Sequence, residues 1–143
     1  MKRAFDIAFA AVLLIALFPI LVITAIAVKF TSPGPVFYGA RRAGLNGAPI
    51  RVWKFRTMVT DADKHATVTI GSDSRITGIG KLLRASKLDE IPQLWNILLG
   101  EMSVVGPRPE SLDIVEQHFT PKERETLAVL PGLTCPGNLL YYV

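Results

Sequence analysis

The sequence predicts a mainly α protein with a small β-hairpin, held at a membrane by an N-terminal re-entrant segment of helix-break-helix form. That makes it a monotopic membrane protein whose remaining residues form one body at the cytoplasmic face. Three observations carry the expectation. Ile7 to Val28 is an uncharged run of 22 residues with Pro19 near its middle. Basic residues flank that run on both sides: Lys2 and Arg3 before it, Lys29, Arg41 and Arg42 after it. Beyond it, Asn46-Gly47 separates two strand-like runs, and the later apolar residues recur mostly at helical intervals.

The apolar run is about 33 Å long as a helix at about 1.5 Å per residue, enough to cross a bilayer. It is longer than the apolar region of a secretory signal. Proline in a helix interior removes a donor and crowds the preceding turn, so a bend or break is expected at Pro19. The two basic flanks lack the asymmetry that orients a simple spanning helix. A segment that dips into the membrane and returns accounts for both features; a kinked single-span helix is the alternative. The division expected is residues 1–30 as the membrane hairpin and 31–143 as the membrane-associated domain.

At 143 residues the chain is one domain's worth, half of it hydrophobic, with a formal charge of +4. Residues 29–58 hold six Lys/Arg and no Asp or Glu, which directs that segment toward phosphates of nucleotides, nucleic acid or lipid headgroups. Aromatic stacking motifs are lacking and the basic stretch adjoins the membrane segment, so no nucleic-acid partner is expected. The single cysteine, Cys135, cannot form an internal disulfide and fits a reducing compartment.

In chain order, Pro33-Gly34-Pro35 ends the first helix. Val36 to Tyr38 and Ile50 to Phe55 read as strands joined through Asn46-Gly47, both of which tolerate positive φ. Lys54 and Arg56, at the apolar strand end, are the cations expected to face a site; the hairpin's other arginines suit anionic headgroups, each worth about 1 kcal/mol near the surface. Met58 to Thr69 suggests a helical turn carrying Asp61 and Asp63, with His65 solvated, and Gly71 to Thr77 a polar loop. Ile79, Leu82 and Leu83 then recur at helical spacing.

Leu88, Ile91, Leu94, Trp95 and Leu98 mark a buried helix face, and Pro92 belongs near that helix's start. Asp89 and Glu90 therefore fall at or just before the first turn, where backbone N–H groups favour ionised carboxylates. Spacing alone favours Asp89 as a helix cap over a catalyst. The pair, with Arg84 before it and Arg108 in the turn Gly106-Pro107-Arg108-Pro109, also makes a site for an anionic substrate, its metal and a carboxylate nucleophile. Thr120-Pro121-Lys122-Glu123 is a capping box that opens a helix to about Leu130, and Pro131-Gly132 stops it. The chain then finishes on an apolar and aromatic run.

These residues resemble the bacterial sugar transferases known as monotopic phosphoglycosyl transferases, or undecaprenyl-phosphate sugar phosphotransferases. The matching motifs are Lys2-Arg3-x-Phe5-Asp6, Ser32-Pro-Gly-Pro-Val-Phe-Tyr38, Arg42-x-Gly44-x-Asn46-Gly47, Lys54-Phe-Arg-Thr-Met58 and Asp73-x-Arg75-Ile-Thr77. Leu88-Asp-Glu-Ile-Pro-Gln-Leu-Trp-Asn96, Gly100-Glu-Met-Ser-Val-Val-Gly-Pro-Arg-Pro109 and Pro131-Gly-Leu-Thr134 follow in the family's order. The resemblance implies transfer of a phospho-sugar from a UDP-sugar to polyprenyl (undecaprenyl) phosphate with release of UMP, a first membrane step of exopolysaccharide or glycoconjugate assembly. It implies Asp89 as the nucleophile that forms an aspartyl phospho-sugar, and Glu90 as the residue that binds Mg²⁺. It further implies Lys54, Arg56, Arg75, Arg84 and Arg108 as substrate-binding cations.

It places the protein at the bacterial inner membrane, with its catalytic domain on the cytoplasmic face, and leaves a homo-oligomer open. Phe18 replaces the serine common before the membrane proline, Leu130 and Cys135 replace an arginine and a glycine, and residues 31–143 read as C-terminally short against the family. A catalytically silent membrane module that binds sugar nucleotide or a partner is the competing expectation.

Overall fold

The computed structural model describes residues 1–60 and 73–135. The helical turn expected around Asp61, Asp63 and His65, the Gly71-Ser72 part of the polar loop and the apolar run from residue 136 onward lie outside the described residues. Within them the chain is mainly helical with two small two-stranded sheets, in the order α1 (Lys2–Thr31), β1 (Phe37–Ala43), β2 (Pro49–Phe55), α2 (Gly78–Ser86), α3 (Gln93–Leu99), β3 (Ser103–Val105), α4 (Leu112–His118), α5 (Pro121–Arg124) and β4 (Gly132–Thr134).

The first helix is 30 residues long and runs through Pro19 without a non-helical residue, so the break expected there, and with it the helix-break-helix form, is not found. Pro19 removes the one backbone bond that would reach the Ile15 carbonyl, a loss that an apolar helix can absorb locally. Asp6, Ala10, Thr24 and Val28 are buried, and Leu13, Leu14, Leu17 and Leu21 partly so, which traces one stripe along the whole helix.

That stripe meets two parts of the core. Ala10, Leu13 and Leu14 pack with Val52, Leu94, Ile97, Met102 and Val104, whereas Leu21, Ala25 and Val28 pack with Phe55, Leu83 and Leu88. Polar contacts fasten the first end: Arg3 donates to the carbonyls of Ile97 at 2.6 Å and Leu98 at 3.0 Å, placing a cation on the C-terminus of α3. Asp6 accepts from Ser103 Oγ at 2.8 Å and Val104 N–H at 3.1 Å, and Lys2 joins the same cluster.

The outer face of α1 is a different surface. Phe5, Ile7, Val12, Ile15, Phe18, Ile23, Ile26 and Phe30 are all exposed. Each such side chain gives up about 1.5–3 kcal/mol when left in water rather than an apolar phase. By length and composition α1 can cross a membrane.

β1 and β2 pair antiparallel from Phe37 opposite Phe55 to Ala43 opposite Pro49. The hairpin is longer than its apolar runs suggest, because Gly39 to Arg42 carries no alternation to read. At its turn Asn46 and Gly47 have φ of 54° and 77°, the left-handed values their side chains permit.

Thr77 caps α2 by accepting from Gly80 N–H at 3.0 Å, and the helix ends where Lys87 turns left-handed at φ 60°. A 3₁₀ turn over Leu88–Glu90 follows, then Ile91 and Pro92 lead into α3. Gly100 at φ 88° closes α3. Three features depart from expectation: β3 and β4 pair in parallel, α4 lies between the Arg108 turn and the capping box, and the last helix is α only to Arg124 before tightening to a 3₁₀ turn over Glu125–Ala128. The Thr120–Glu123 capping box itself is present in both directions.

Candidate active site

The end of β2, the turn before α3 and the loop after β3 converge on one cleft. Its walls include Arg42, Lys54, Glu90, Gln93, Arg108 and Cys135. At its centre Lys54 Nζ donates to Glu90 Oε1 at 2.8 Å, each side chain about a quarter exposed. Burial alone would raise the Glu90 carboxyl. The Lys54 hydrogen bond and charge, with Lys87 and Arg108 nearby, bring it below its ordinary value instead.

Asp89 sits beside this pair but turned inward. It is 7% exposed, and its Oδ1 is buried with no hydrogen-bond partner among the described residues. The helix-cap role that spacing favours is not the one found: Lys87 precedes the 3₁₀ turn, Pro92 precedes α3, and neither start carries a side-chain cap. The helix start and the cations are outweighed in the direction of the Asp89 shift. Burial, followed by the adjacent Glu90 charge, pushes its carboxyl above the ordinary value, against the opposing pull of Lys54, Arg84 and Lys87. A buried acceptor with no donor is costly in a folded chain, on the order of 1–3 kcal/mol. Such a group calls for an explanation, and Arg56 Nε and Nη1 are buried and unpaired in the same way.

The other expected cations fall in distinct places. Arg84, on α2, donates Nε to Thr57 Oγ1 at 2.9 Å and contributes its charge to Asp89. Arg108 is largely exposed on the cleft rim, 3.9 Å from Glu110. Arg56 is buried under the turn that follows α1, donating Nη2 to the Ser32 carbonyl at 2.7 Å and Ser32 Oγ at 2.8 Å. Arg75 grips Asp73 through Nε and Nη2, at 2.9 and 2.6 Å, and holds that carboxyl down to about 2. Lys54, Glu90 and Arg108 thus share the cleft, with Asp89 and Arg84 behind it, while Arg56 and Arg75 are engaged in contacts of their own.

Backbone packing places Arg108. Gly106 and Gly132 lie back to back, so that a Cβ on either would run into the other's strand. Gly106 N–H donates to the Thr134 carbonyl at 3.0 Å and Gly132 N–H to the Pro107 carbonyl at 2.8 Å. This crossing fixes the turn from which Arg108 projects. Arg42 and Gln93 in the cleft wall were not among the expected site residues, although Arg42 lies in the acid-free segment and both lie within motifs shared with the family.

The donor set can be tested against the implied metal. Among the described residues no group of three His, Cys, Asp or Glu could hold an ion. Mg²⁺, however, is commonly held by one or two carboxylates together with substrate phosphates and waters. The unpartnered Asp89 Oδ1 and the second oxygen of Glu90 fit that mode of binding.

Residues 1–141 match the family model for bacterial sugar transferases. The chain belongs to this family. It is 45% identical over 137 residues to the UDP-glucose:undecaprenyl-phosphate glucose-1-phosphate transferase of Escherichia coli (strain K12), covering 94% of this chain and 30% of that protein. It is 42% identical over 141 residues to the exopolysaccharide production protein PSS of Rhizobium leguminosarum bv. phaseoli, covering 94% of this chain and 70% of the relative. A UDP-N-acetylgalactosamine-undecaprenyl-phosphate N-acetylgalactosaminephosphotransferase of Aeromonas hydrophila shares 42% over 118 residues, which is 81% of this chain and 28% of the relative. The chain therefore spans about three tenths of the length of some relatives and most of the length of others. In this sugar transferase family member Glu90, Lys54 and Arg108 line a single cleft, and Asp89 precedes Glu90 as a buried neighbour.

Proposed function

We propose that this chain transfers a phospho-sugar from a UDP-sugar to a polyprenyl phosphate through a covalent intermediate on Asp89. The observation that carries the reading is the buried, unpartnered Asp89 Oδ1 beside the Lys54–Glu90 pair. The names of the relatives support the substrate class.

In the first step an Asp89 carboxylate oxygen attacks the sugar-bearing phosphorus. The bond from that phosphorus to the bridging oxygen breaks, and UMP leaves with the electron pair. In the second step a phosphate oxygen of the polyprenyl phosphate attacks the same phosphorus. The bond to Asp89 breaks, the carboxylate is restored, and a polyprenyl diphosphate sugar leaves. Splitting one exchange into two in this way gives ping-pong kinetics. Asp89 attacks as the carboxylate, a form that burial and Glu90 oppose and that the nearby Lys54, Arg84 and Lys87 favour.

Lys54 and Arg108 are assigned to the diphosphate oxygens and Arg84 to the charge on Asp89, because these cations surround the acidic pair. Asp89 and Glu90 are the residues that would hold Mg²⁺ with the substrate phosphates. When bound, the ion neutralises charge developing as the diphosphate bond breaks. Arg56 and Arg75 would act at a remove, through the Ser32 turn and the Asp73 fork.

The same reading places the outer face of α1 in the inner membrane as a re-entrant segment, with residues 31–143 as the catalytic domain on the cytoplasmic side. Both ends of α1 dock on that one body, which supports placing both ends on the same side of the membrane. The deciding experiment incubates the full chain in lipid nanodiscs with UDP-glucose, undecaprenyl phosphate and Mg²⁺. Release of UMP and a phospho-glucose adduct on Asp89, detected by mass spectrometry and absent in Asp89→Asn, supports the proposal. Nucleotide-sugar binding without turnover across a panel of UDP-sugars overturns it in favour of a silent module.

A further inference from the structure

β2 pairs with β1 along one edge only, and among the described residues no third strand covers the other. A single side chain from α3 takes that place. Asn96 accepts the Trp53 N–H through Oδ1 at 3.0 Å and donates Nδ2 to the Arg51 carbonyl at 2.8 Å. These are the two bonds that the N–H and C=O of one residue in a parallel neighbouring strand would make to residues two apart on β2.

The orientation of the amide is set chemically. Its second Nδ2 hydrogen goes to Glu101 Oε2 at 2.6 Å. An ionised carboxylate only accepts, as does a carbonyl, so turning the amide over would set Oδ1 against two acceptors and strand the Trp53 donor. Asn96 is fully buried, so no water replaces a lost bond. The Asn96 carbonyl in turn accepts from Glu101 and Met102 N–H at 3.0 and 3.3 Å, closing the turn that carries Glu101.

Lys54 follows Trp53 directly, and Glu90 lies in the turn that leads into α3. We propose that Asn96 is a positioning residue: two of its side-chain hydrogen bonds fix β2 against α3, the third orients the amide, and together they set the Lys54–Glu90 contact in the cleft. The kinetic consequence rests on the proposed phosphoglycosyl transfer, whereas the geometric claim does not need it. Glu101 acts one step further out, by holding the amide the right way round.

The test uses the full chain in nanodiscs and a zero-length carbodiimide, which joins a lysine to a carboxylate only in contact. In the wild type, mass spectrometry should find Lys54 joined to Glu90. In Glu101→Ala, altered at a half-buried residue, the yield of that cross-link should fall about tenfold, the factor corresponding to one lost hydrogen bond to a buried charged group. Glu101→Gln, whose amide oxygen still accepts from Asn96, should restore it. Asn96→Ala should lose the cross-link as well, and the Glu101 pair carries the test if that variant does not fold.

With substrates present, kcat should fall by more than KM for the UDP-sugar rises, since misalignment is felt most in the transition state. A folded Glu101→Ala chain with wild-type cross-link yield and kcat overturns the inference. If the cross-links behave as expected but no variant or wild-type chain turns over any UDP-sugar, the proposed function fails and the positioning role stands.

Discussion

Lys54 and Glu90 meet at 2.8 Å although 36 residues separate them in the chain. One comes from a β-hairpin and the other from a 3₁₀ turn, so the contact exists only when β2 is seated against α3. A partly exposed pair of this kind contributes about 0.2–1 kcal/mol to stability. Its value lies in what it does to the site.

Replacing Lys54 by methionine tests that division. The stem is kept and the charge lost, so unfolding should shift by less than about 1 kcal/mol. Activity should fall about 100-fold or more, because a cation facing developing phosphate charge is removed. Glu90 then loses the bond and charge that offset its burial, and its carboxyl rises. The acid limb of the kcat/KM profile should move to higher pH in Lys54→Met. An unchanged limb with unchanged rate would mean that the pair is a surface ion pair only.

Asp89 gives the opposite sign. Its folded-state carboxyl is raised by burial and by Glu90. As pH rises through the ordinary value of 3.8 toward the folded one, the unfolded chain releases a proton that the folded chain keeps, and stability falls. Asp89→Asn should therefore be inactive yet more stable at pH 7, by about 0.5–2 kcal/mol, and the gain should vanish below the ordinary carboxyl range. Thermal unfolding of both chains at pH 7 and pH 3 measures it.

The Gly106–Gly132 crossing predicts a steric effect. Either residue changed to alanine pushes a methyl into the facing backbone. A cost of about 1–3 kcal/mol follows from overpacking, and the turn bearing Arg108 should shift. KM for the UDP-sugar should rise in whichever variant folds, and a variant with wild-type Tm and KM would refute the close approach.

Legibility in the sequence followed the kind of signal each element carries. α1, the Asn46-Gly47 turn and the Thr120 capping box were readable because long uncharged length, positive φ and a four-residue cap are local properties. β3 and β4 were not, since three-residue strands paired across about thirty residues have no periodicity to detect. At the site, the acidic pair and its cations were visible as residue types, but their separation into cleft and surroundings was not. Arg56 and Arg75 look equivalent to Lys54 in sequence, but tertiary packing gives Arg56 its partner in the Ser32 turn, whereas Arg75 is taken up locally by Asp73, two residues before it. The raised Asp89 carboxyl was likewise hidden, because helix-start electrostatics is local whereas burial is a property of the assembled core.

The docking of α1 leads to the final prediction. Arg3 holds the Ile97 and Leu98 carbonyls at one end, and Val28 packs with Phe55 and Leu83 at the other. Both contacts lie on one body, so both ends should face the same side of the membrane. In a Cys135→Ser background, single cysteines at the exposed positions Ala4 and Thr31 should both escape a membrane-impermeant maleimide applied to the periplasmic face. Both should react in inverted vesicles. Labelling of one end from each side would show a spanning helix and would require the contacts of Arg3 or of Val28 to come apart in the bilayer. Asp6→Ala supplies the energetic counterpart: it removes the acceptor shared by Ser103 and Val104, leaving a buried N–H unpaired at about 1–3 kcal/mol. That variant should stay in the membrane through its apolar face while its domain unfolds at lower temperature, which separates insertion from docking.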